Sequence, residues 1–154
     1  IDYWVSYSFL DTERDYLTFQ SSAVPGFASK HNFSFVYKHF IDAIKSQVGF
    51  TYSYGSGRYY NDPNKDGVMN SQLPSYQDFS FNIAYLFRPQ VIFYASATNL
   101  LGRDNVFGYQ FADYPNSDGV FESRAIGQPA KRFLFLGVFI TLSKDKSKNQ
   151  LENL

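Results

Sequence analysis

The sequence predicts an all-β fold, an antiparallel up-and-down sheet of six strands, and three observations carry that prediction. Apolar and polar residues alternate with period two in six separate stretches. The connections between the stretches alternate strictly between long and short. Aromatic residues make up 20% of the chain and charged residues only 18%, a balance that one small water-soluble core cannot bury without leaving apolar patches outside.

Each strand follows from its own alternation. The first, Asp2 to Leu10, sets Tyr3, Val5, Tyr7 and Phe9 against Ser6 and Ser8. In the second, Phe33, Phe35 and Tyr37 alternate with Ser34, Val36 and Lys38. The third places Val48, Phe50, Tyr52 and Tyr54 opposite Gln47, Gly49, Thr51 and Ser53. The fourth opposes Phe79, Phe81, Ile83 and Tyr85 to Asp78, Ser80, Asn82 and Ala84. The fifth, Val91 to Leu100, has Phe93, Ala95 and Ala97 against Tyr94, Ser96 and Thr98, and alternation alone does not fix which set faces which way. The sixth sets Leu134, Leu136, Val138, Ile140 and Leu142 against Phe133, Phe135, Gly137, Phe139 and Thr141. No Asp, Glu, Lys or Arg falls in any of the apolar sets.

The apolar sets are dominated by Phe and Tyr, where a soluble sandwich or lipocalin-like barrel would favour Val, Ile and Leu. Mean hydropathy is −0.31, and no run reaches the roughly 18 apolar residues a helical span needs. These features describe the strands of a transmembrane β-barrel, with the apolar face toward lipid and a polar lumen. The links Asp11–Lys30, Gly55–Gln77 and Leu101–Lys131 are long, whereas His39–Lys45 and Phe87–Gln90 are short. Outer-membrane barrels keep short turns at the periplasmic end and long loops outside. Strand one is therefore expected to run outward and strand six inward, leaving the C-terminus periplasmic.

Six strands do not close a barrel, since the smallest single-chain examples have about eight and an open edge is not tolerated in hydrocarbon. The chain is expected to be a piece of a larger barrel or one of several copies that assemble one. No export signal is legible at Ile1, where the chain opens directly in a strand, so the start reads as a cut. Net charge is zero, which gives no footprint for nucleic acid. Cysteine is absent, which removes disulfides and thiolate-held metals.

With the strands placed, several stretches resemble the end of a TonB-dependent outer-membrane receptor. They are Tyr3–Tyr16, Phe27–Val36, Thr51–Tyr59 and Leu73–Phe81. The most specific is Tyr94–Tyr109, whose Asn99-Leu-Leu-Gly102 is similar to the family's motif after the penultimate strand. Lys131–Ser143 is similar to its closing strand. The resemblance spans residues 1–143 and implies the last six strands of a barrel of about 22, with a plug domain and a TonB energy-coupling partner outside this chain. Family barrels end on an aromatic residue; here a polar tail, 144–154, follows and is expected to be a frayed periplasmic end.

Catalytic chemistry is not legible. His31 and His39 flank strand two without a Cys or carboxylate at ligand spacing, and no nucleophile elbow, P-loop or dinucleotide fingerprint occurs. Gly55-Ser-Gly57 reads as a flexible exit from strand three, and Asn32-Phe-Ser34 is a glycosylation sequon at a strand start. One calcium-loop beginning is present: Asp62, Asn64 and Asp66 at first, third and fifth places, Gly67 at the sixth and Asn70 at the ninth. Its twelfth place is Leu73 and not the bidentate Glu, so a Pro- and Gly-shaped turn is the competing reading.

If the chain is a receptor wall, ligand contact falls on the outer loops. The candidates are Arg58, Tyr59 and Tyr60 in the second, and Arg103, Asp104, Asn105, Tyr109 and Arg124 in the third. Tyr and Arg give broad contact at low entropic cost, and the same rings also suit an interfacial aromatic girdle. The expected function is the wall of an active importer for a scarce ligand such as a siderophore, cobalamin or oligosaccharide. A passive channel or adhesin-like barrel built from several short chains is the alternative.

Overall fold

The computed structural model of this protein describes residues 1–17 and 22–142. Six strands make one sheet: β1 (Asp2–Phe9), β2 (His31–Ile41), β3 (Ser46–Gly55), β4 (Tyr76–Arg88), β5 (Val91–Thr98) and β6 (Phe133–Ile140). They hydrogen-bond in sequence order, each antiparallel to the next. The sheet is open, with β1 and β6 each presenting one unpaired edge.

Residues opposite one another on neighbouring strands share a face, so the register decides what each face carries. Tyr3, Tyr37, Phe50, Phe81, Ala97 and Leu134 form one continuous row across all six strands. The next rows read His39, Val48, Ile83, Ala95, Leu136, and then Ile41, Ser46, Tyr85, Phe93, Val138. Every apolar set read from alternation thus lands on one face. The fifth strand, ambiguous in sequence, turns Phe93, Ala95 and Ala97 to that face. Phe50 is the centre of the packing: its ring lies 4.9 Å from that of Tyr37, 5.5 Å from Phe35 and 6.0 Å from Phe79. Such pairs add roughly 0.5–1.5 kcal/mol each beyond burial. A slip of one residue would turn all of these rings to the other side.

The opposite face differs from its uniformly polar expectation. Across β1–β4 it is mixed: the row Ser6, Ser34, Ser53, Asp78 is polar and Asp2 faces Lys38, but Trp4, Val36 and Phe40 stand on it too. Toward β6 it becomes aromatic. Tyr94 stands opposite Gly137, with its ring 6.0 Å from Phe135 and 6.1 Å from Phe139. Phe-Leu-Phe-Leu alternation puts apolar residues on both sides of β6.

The short links are tighter than the sequence suggests, because the strands run on. β2 continues through His39 to Ile41, so the β2–β3 turn is only 42–45, a single 3-10 turn closed by Lys45 in the left-handed region at φ 49°. β4 continues to Arg88 through a bulge after Leu86, and Pro89-Gln90 alone join it to β5. Both histidines lie inside β2. Each long link contains a small antiparallel ladder of its own: Arg14–Asp15 with Ser22–Ala23, Tyr59–Tyr60 with Ser71–Gln72, and Val106–Phe111 with Ser123–Gly127. Residues 144–154 lie outside the described part.

Almost nothing in this sheet is buried. Among the described residues the buried apolar side chains are Ala28, Leu73, Ala84 and Ile92, while Trp4, Phe87, Phe133 and Leu136 are more than half exposed. One sheet with no second layer has no interior, and hydrophobic burial in water cannot offset the entropy of ordering it. The chain is therefore expected to self-associate in plain buffer and to be monodisperse only in detergent, as read by size-exclusion chromatography with light scattering. A monodisperse species with a cooperative melt in plain buffer contradicts this.

Candidate ligand site at the loop end of the sheet

An antiparallel meander delivers alternate connections to the same end, so the three long loops meet above one rim of the sheet. Their shape is set by amide side chains. Asn99 ends β5 in the left-handed conformation at φ 46° and is only 2% exposed. Its amide donates to the carbonyls of Arg103 (2.8 Å) and Lys131 (2.6 Å) and to Gln128 Oε1 (3.2 Å), while its oxygen accepts the Arg103 N–H (3.1 Å). Gly102 closes the turn with its N–H on the Asn99 carbonyl at 2.7 Å and φ 65°. Arg132, at the foot of β6, lies across it and donates from Nε to the Leu100 carbonyl at 2.9 Å. The positive φ favours glycine at 102, and a Cβ there would also displace the Arg132 guanidinium, which lies 2.8 Å from its position. The Asn99–Gly102 motif is thus the joint that ties both ends of the third loop together.

Two further amides lock loop to loop. Asn105, 3% exposed, accepts the Gln77 N–H at 3.1 Å and donates to the Gln77 carbonyl at 2.8 Å, an extra rung at the top of β4. Asn64 donates to the Phe121 carbonyl (2.9 Å) and accepts the Phe121 N–H (2.7 Å), joining the second loop to the third. Tyr60 reinforces that junction, with its ring 5.2 Å from Tyr109. The Tyr60 phenol is pushed above its ordinary pKa, chiefly by burial, with Asp62 and Tyr109 adding to it against a hydrogen bond from Ser71 that lowers it. A raised phenol contributes stability that is complete below the unfolded pKa and lost as pH climbs through the folded one.

The first loop joins the second through serines. Ser29 Oγ donates to the Ser56 carbonyl at 2.9 Å, and Ser56 Oγ accepts the His31 N–H at 3.0 Å. His31 in turn meets the Tyr7 hydroxyl through Nδ1 at 2.9 Å and packs on Phe9, which accounts for this histidine structurally. At Gly57 a Cβ would lie 1.7 Å from the Leu73 carbonyl oxygen, so only glycine lets the second loop fold back on itself there.

Between the loops lies a hollow of about 350 Å³, open to solvent, on the face opposite the rings of Phe50 and Tyr37. Phe27 from the first loop, Arg58 and Leu73 from the second, Phe107 from the third, and Asn32 and Tyr76 from the sheet line it. Its size falls within the range of small-molecule sites. Rings of Tyr76 and Phe107 stand 6.2 Å apart at one wall. Arg58 is exposed and has no ion-pair partner among the described residues.

The sequence-predicted contacts divide into two groups. Arg58 lines the hollow, whereas Tyr59 is not among its lining residues and pairs with Gln72 in the small ladder of the second loop. Tyr60 and Tyr109 pair above the second and third loops, and Arg124 stands exposed opposite Gln110 in the outer hairpin. Arg103, Asp104 and Asn105 are instead engaged in holding the loops: Arg103 Nη2 donates to the Ser75 carbonyl (3.1 Å), Asp104 pairs with Lys131 (2.7 Å), and Asn105 clamps Gln77. Phe27, Tyr76 and Phe107 are the lining residues that sequence reasoning missed. Nothing in one loop's sequence says which residue of another loop it will face.

The stretch with calcium-loop spacing is organised by its own atoms. Asp62 Oδ1 accepts the Asn64 N–H at 3.0 Å, and Lys65 Nζ stands 3.9 Å from Asp62 Oδ2. Asn70 donates to the carbonyls of Asp62, Lys65 and Gly67 and accepts the Asp62 N–H, while Asp66 is exposed. Among the described residues no three His, Cys, Asp or Glu gather as a metal-holding group. No protein-family model, curated protein or solved structure matches this chain.

Replacing Asn99 with Ala removes four hydrogen bonds at a buried left-handed position and is expected to cost about 2–4 kcal/mol. Hydrogen exchange should accelerate across residues 99–132 while β1–β3 keep their protection. Uniform loss of protection through all six strands would show that Asn99 is not a local joint.

Proposed function

We propose that this chain is a wall segment of an outer-membrane β-barrel that imports a scarce ligand, of the TonB-dependent class its motifs resemble. The observation that carries the reading is the sheet itself. It has one face dominated by Phe, Tyr and aliphatic residues, with Arg88 in register only at its turn end, two unpaired edges, short turns at one end and long loops at the other. Strands of eight to thirteen residues suit tilted spans of the hydrocarbon layer, which need about 9–11. Lipid would cover the ring-bearing face, and further strands would satisfy both edges.

In this reading the polar face and the hollow beneath the loops form the upper lumen, where a ligand is held by binding and not by chemistry. Arg58, with Tyr59, Tyr60, Tyr109 and Arg124 around and above it, supplies the contact surface. Arg103, Asp104 and Asn105 keep the loops in position. A plug domain and an energy-coupling partner would belong to the rest of the assembly, and no cofactor is called for. Barrels assembled from several copies of this chain would satisfy the same edges and are the competing outcome.

Two measurements test the proposal. Peptides of this chain should be recovered from the outer membrane in a species several times heavier than 17.7 kDa. A denatured mass near that value selects the assembled-copies alternative, and recovery in a soluble fraction removes the membrane reading. For facing, Phe50→Lys should weaken folding into lipid vesicles by about 2–4 kcal/mol. Thr51→Lys, one residue along on the polar face, should cost less than about 1 kcal/mol, with Phe50→Leu as the control for lost ring packing. Equal penalties at both lysine positions would mean that the faces are assigned wrongly.

A further inference from the structure

On the proposed lipid face the packing is uneven in one place. β5 contributes Ala95 and Ala97 where its neighbours contribute Ile83 and Phe81 from β4, and Leu136 and Leu134 from β6. Small residues on a central strand between large ones on both sides make a trough that runs along the strands. It is a groove of about 410 Å³, lined by Ile83, Tyr85, Phe93, Ala95, Leu136 and Val138. At its turn-side end Phe93 packs edge-on against Phe87, with ring centres 5.7 Å apart. The bulge after Leu86 brings Arg88 opposite Val91, in register with this same face. The Arg88 guanidinium carbon lies 5.4 Å from the centre of the Phe87 ring, and among the described residues it has no carboxylate partner. Beyond the Phe93 end of the groove, past the Phe87 ring, thus stands a cation without an ion-pair partner among the described residues.

Resting on the membrane reading above, we infer that this groove is a phospholipid site, with an acyl chain over Ala95 between Ile83 and Leu136 and the phosphate on Arg88. Apolar lining accepts only hydrocarbon, and the direction of the trough is the direction in which acyl chains lie in a bilayer. A guanidinium matches phosphate in charge and in paired N–H geometry. The turn between β4 and β5 is on the short-link side, so the lipid comes from the inner leaflet.

The test uses the full chain in mild detergent, titrated with a long-chain phosphatidylglycerol and followed by native mass spectrometry. The unsubstituted chain should retain one lipid at detergent washes that strip the rest. Ala95→Leu fills the trough on an exposed face without disturbing the sheet and should reduce retention by about fivefold or more, as should Arg88→Gln. Val5→Leu, on the same face away from the groove, should leave it unchanged. A diacylglycerol of the same chains, lacking phosphate, should bind the unsubstituted chain about as weakly as phosphatidylglycerol binds the Arg88→Gln form. Retention unaltered by both Ala95→Leu and Arg88→Gln, or tight binding of lipopolysaccharide that ignores Arg88, overturns the site. A chain that inserts and folds in vesicles but retains no lipid also overturns it while leaving the barrel reading intact. A chain that enters vesicles neither by itself nor together with the strands that complete its barrel removes both.

Discussion

The register of the six strands is the constraint on which everything else depends. Side chains alternate across a sheet with a period of two, so one pairing choice fixes the side on which every ring stands. Here the pairing of Tyr37 with Phe50, and of Phe50 with Phe81, aligns rows that continue from β1 to β6. The ring contacts of Phe50, stacked on Tyr37 and tilted against Phe79, reward that register. The consequence is a sheet with an apolar exterior and no interior, whose stability must come from what surrounds it.

The loop end depends on a different interaction, the side-chain amide used as a backbone substitute. Asn99, Asn105, Asn64 and Asn70 each present a donor and an acceptor a short distance apart, as a peptide unit does. Asn105 on Gln77 and Asn64 on Phe121 are in effect additional ladder rungs made where no strand runs. Loops held in this way can keep an open hollow above the sheet without a hydrophobic core beneath them. It is this stiffness that leaves Arg58 and the rings of Phe27, Tyr76 and Phe107 in a fixed arrangement around one space.

The two faces of β5 and β6 are built differently. Ala95 leaves a groove between Ile83 and Leu136 on the ring-bearing face, while on the opposite face Tyr94 pairs with Gly137 and its ring meets Phe135 and Phe139. A large ring over a glycine keeps the backbone covered where the glycine supplies no side chain. The aromatic patch of Tyr94, Phe135 and Phe139 and the polar row of Ser6, Ser34, Ser53 and Asp78 lie on the same face of the sheet, at its β5–β6 and β1–β4 sides.

The sequence by itself determined the six strands, their order of long and short links, and the residues that share each face, because a period of two is written locally. It also marked Arg58, Tyr60 and Tyr109 as surface-forming loop residues. Strand ends were legible only approximately: β2 and β4 run past their alternating stretches because hydrogen bonds to their neighbours continue there. What only the tertiary structure decided is which residues from different loops meet. Phe27, Arg58, Tyr76 and Phe107 are far apart in the chain, and their convergence depends on the meander returning each loop to the same rim. The roles of Asn99 and Asn105 were decided there too, since an amide becomes a clamp only when another segment brings it an N–H and a carbonyl.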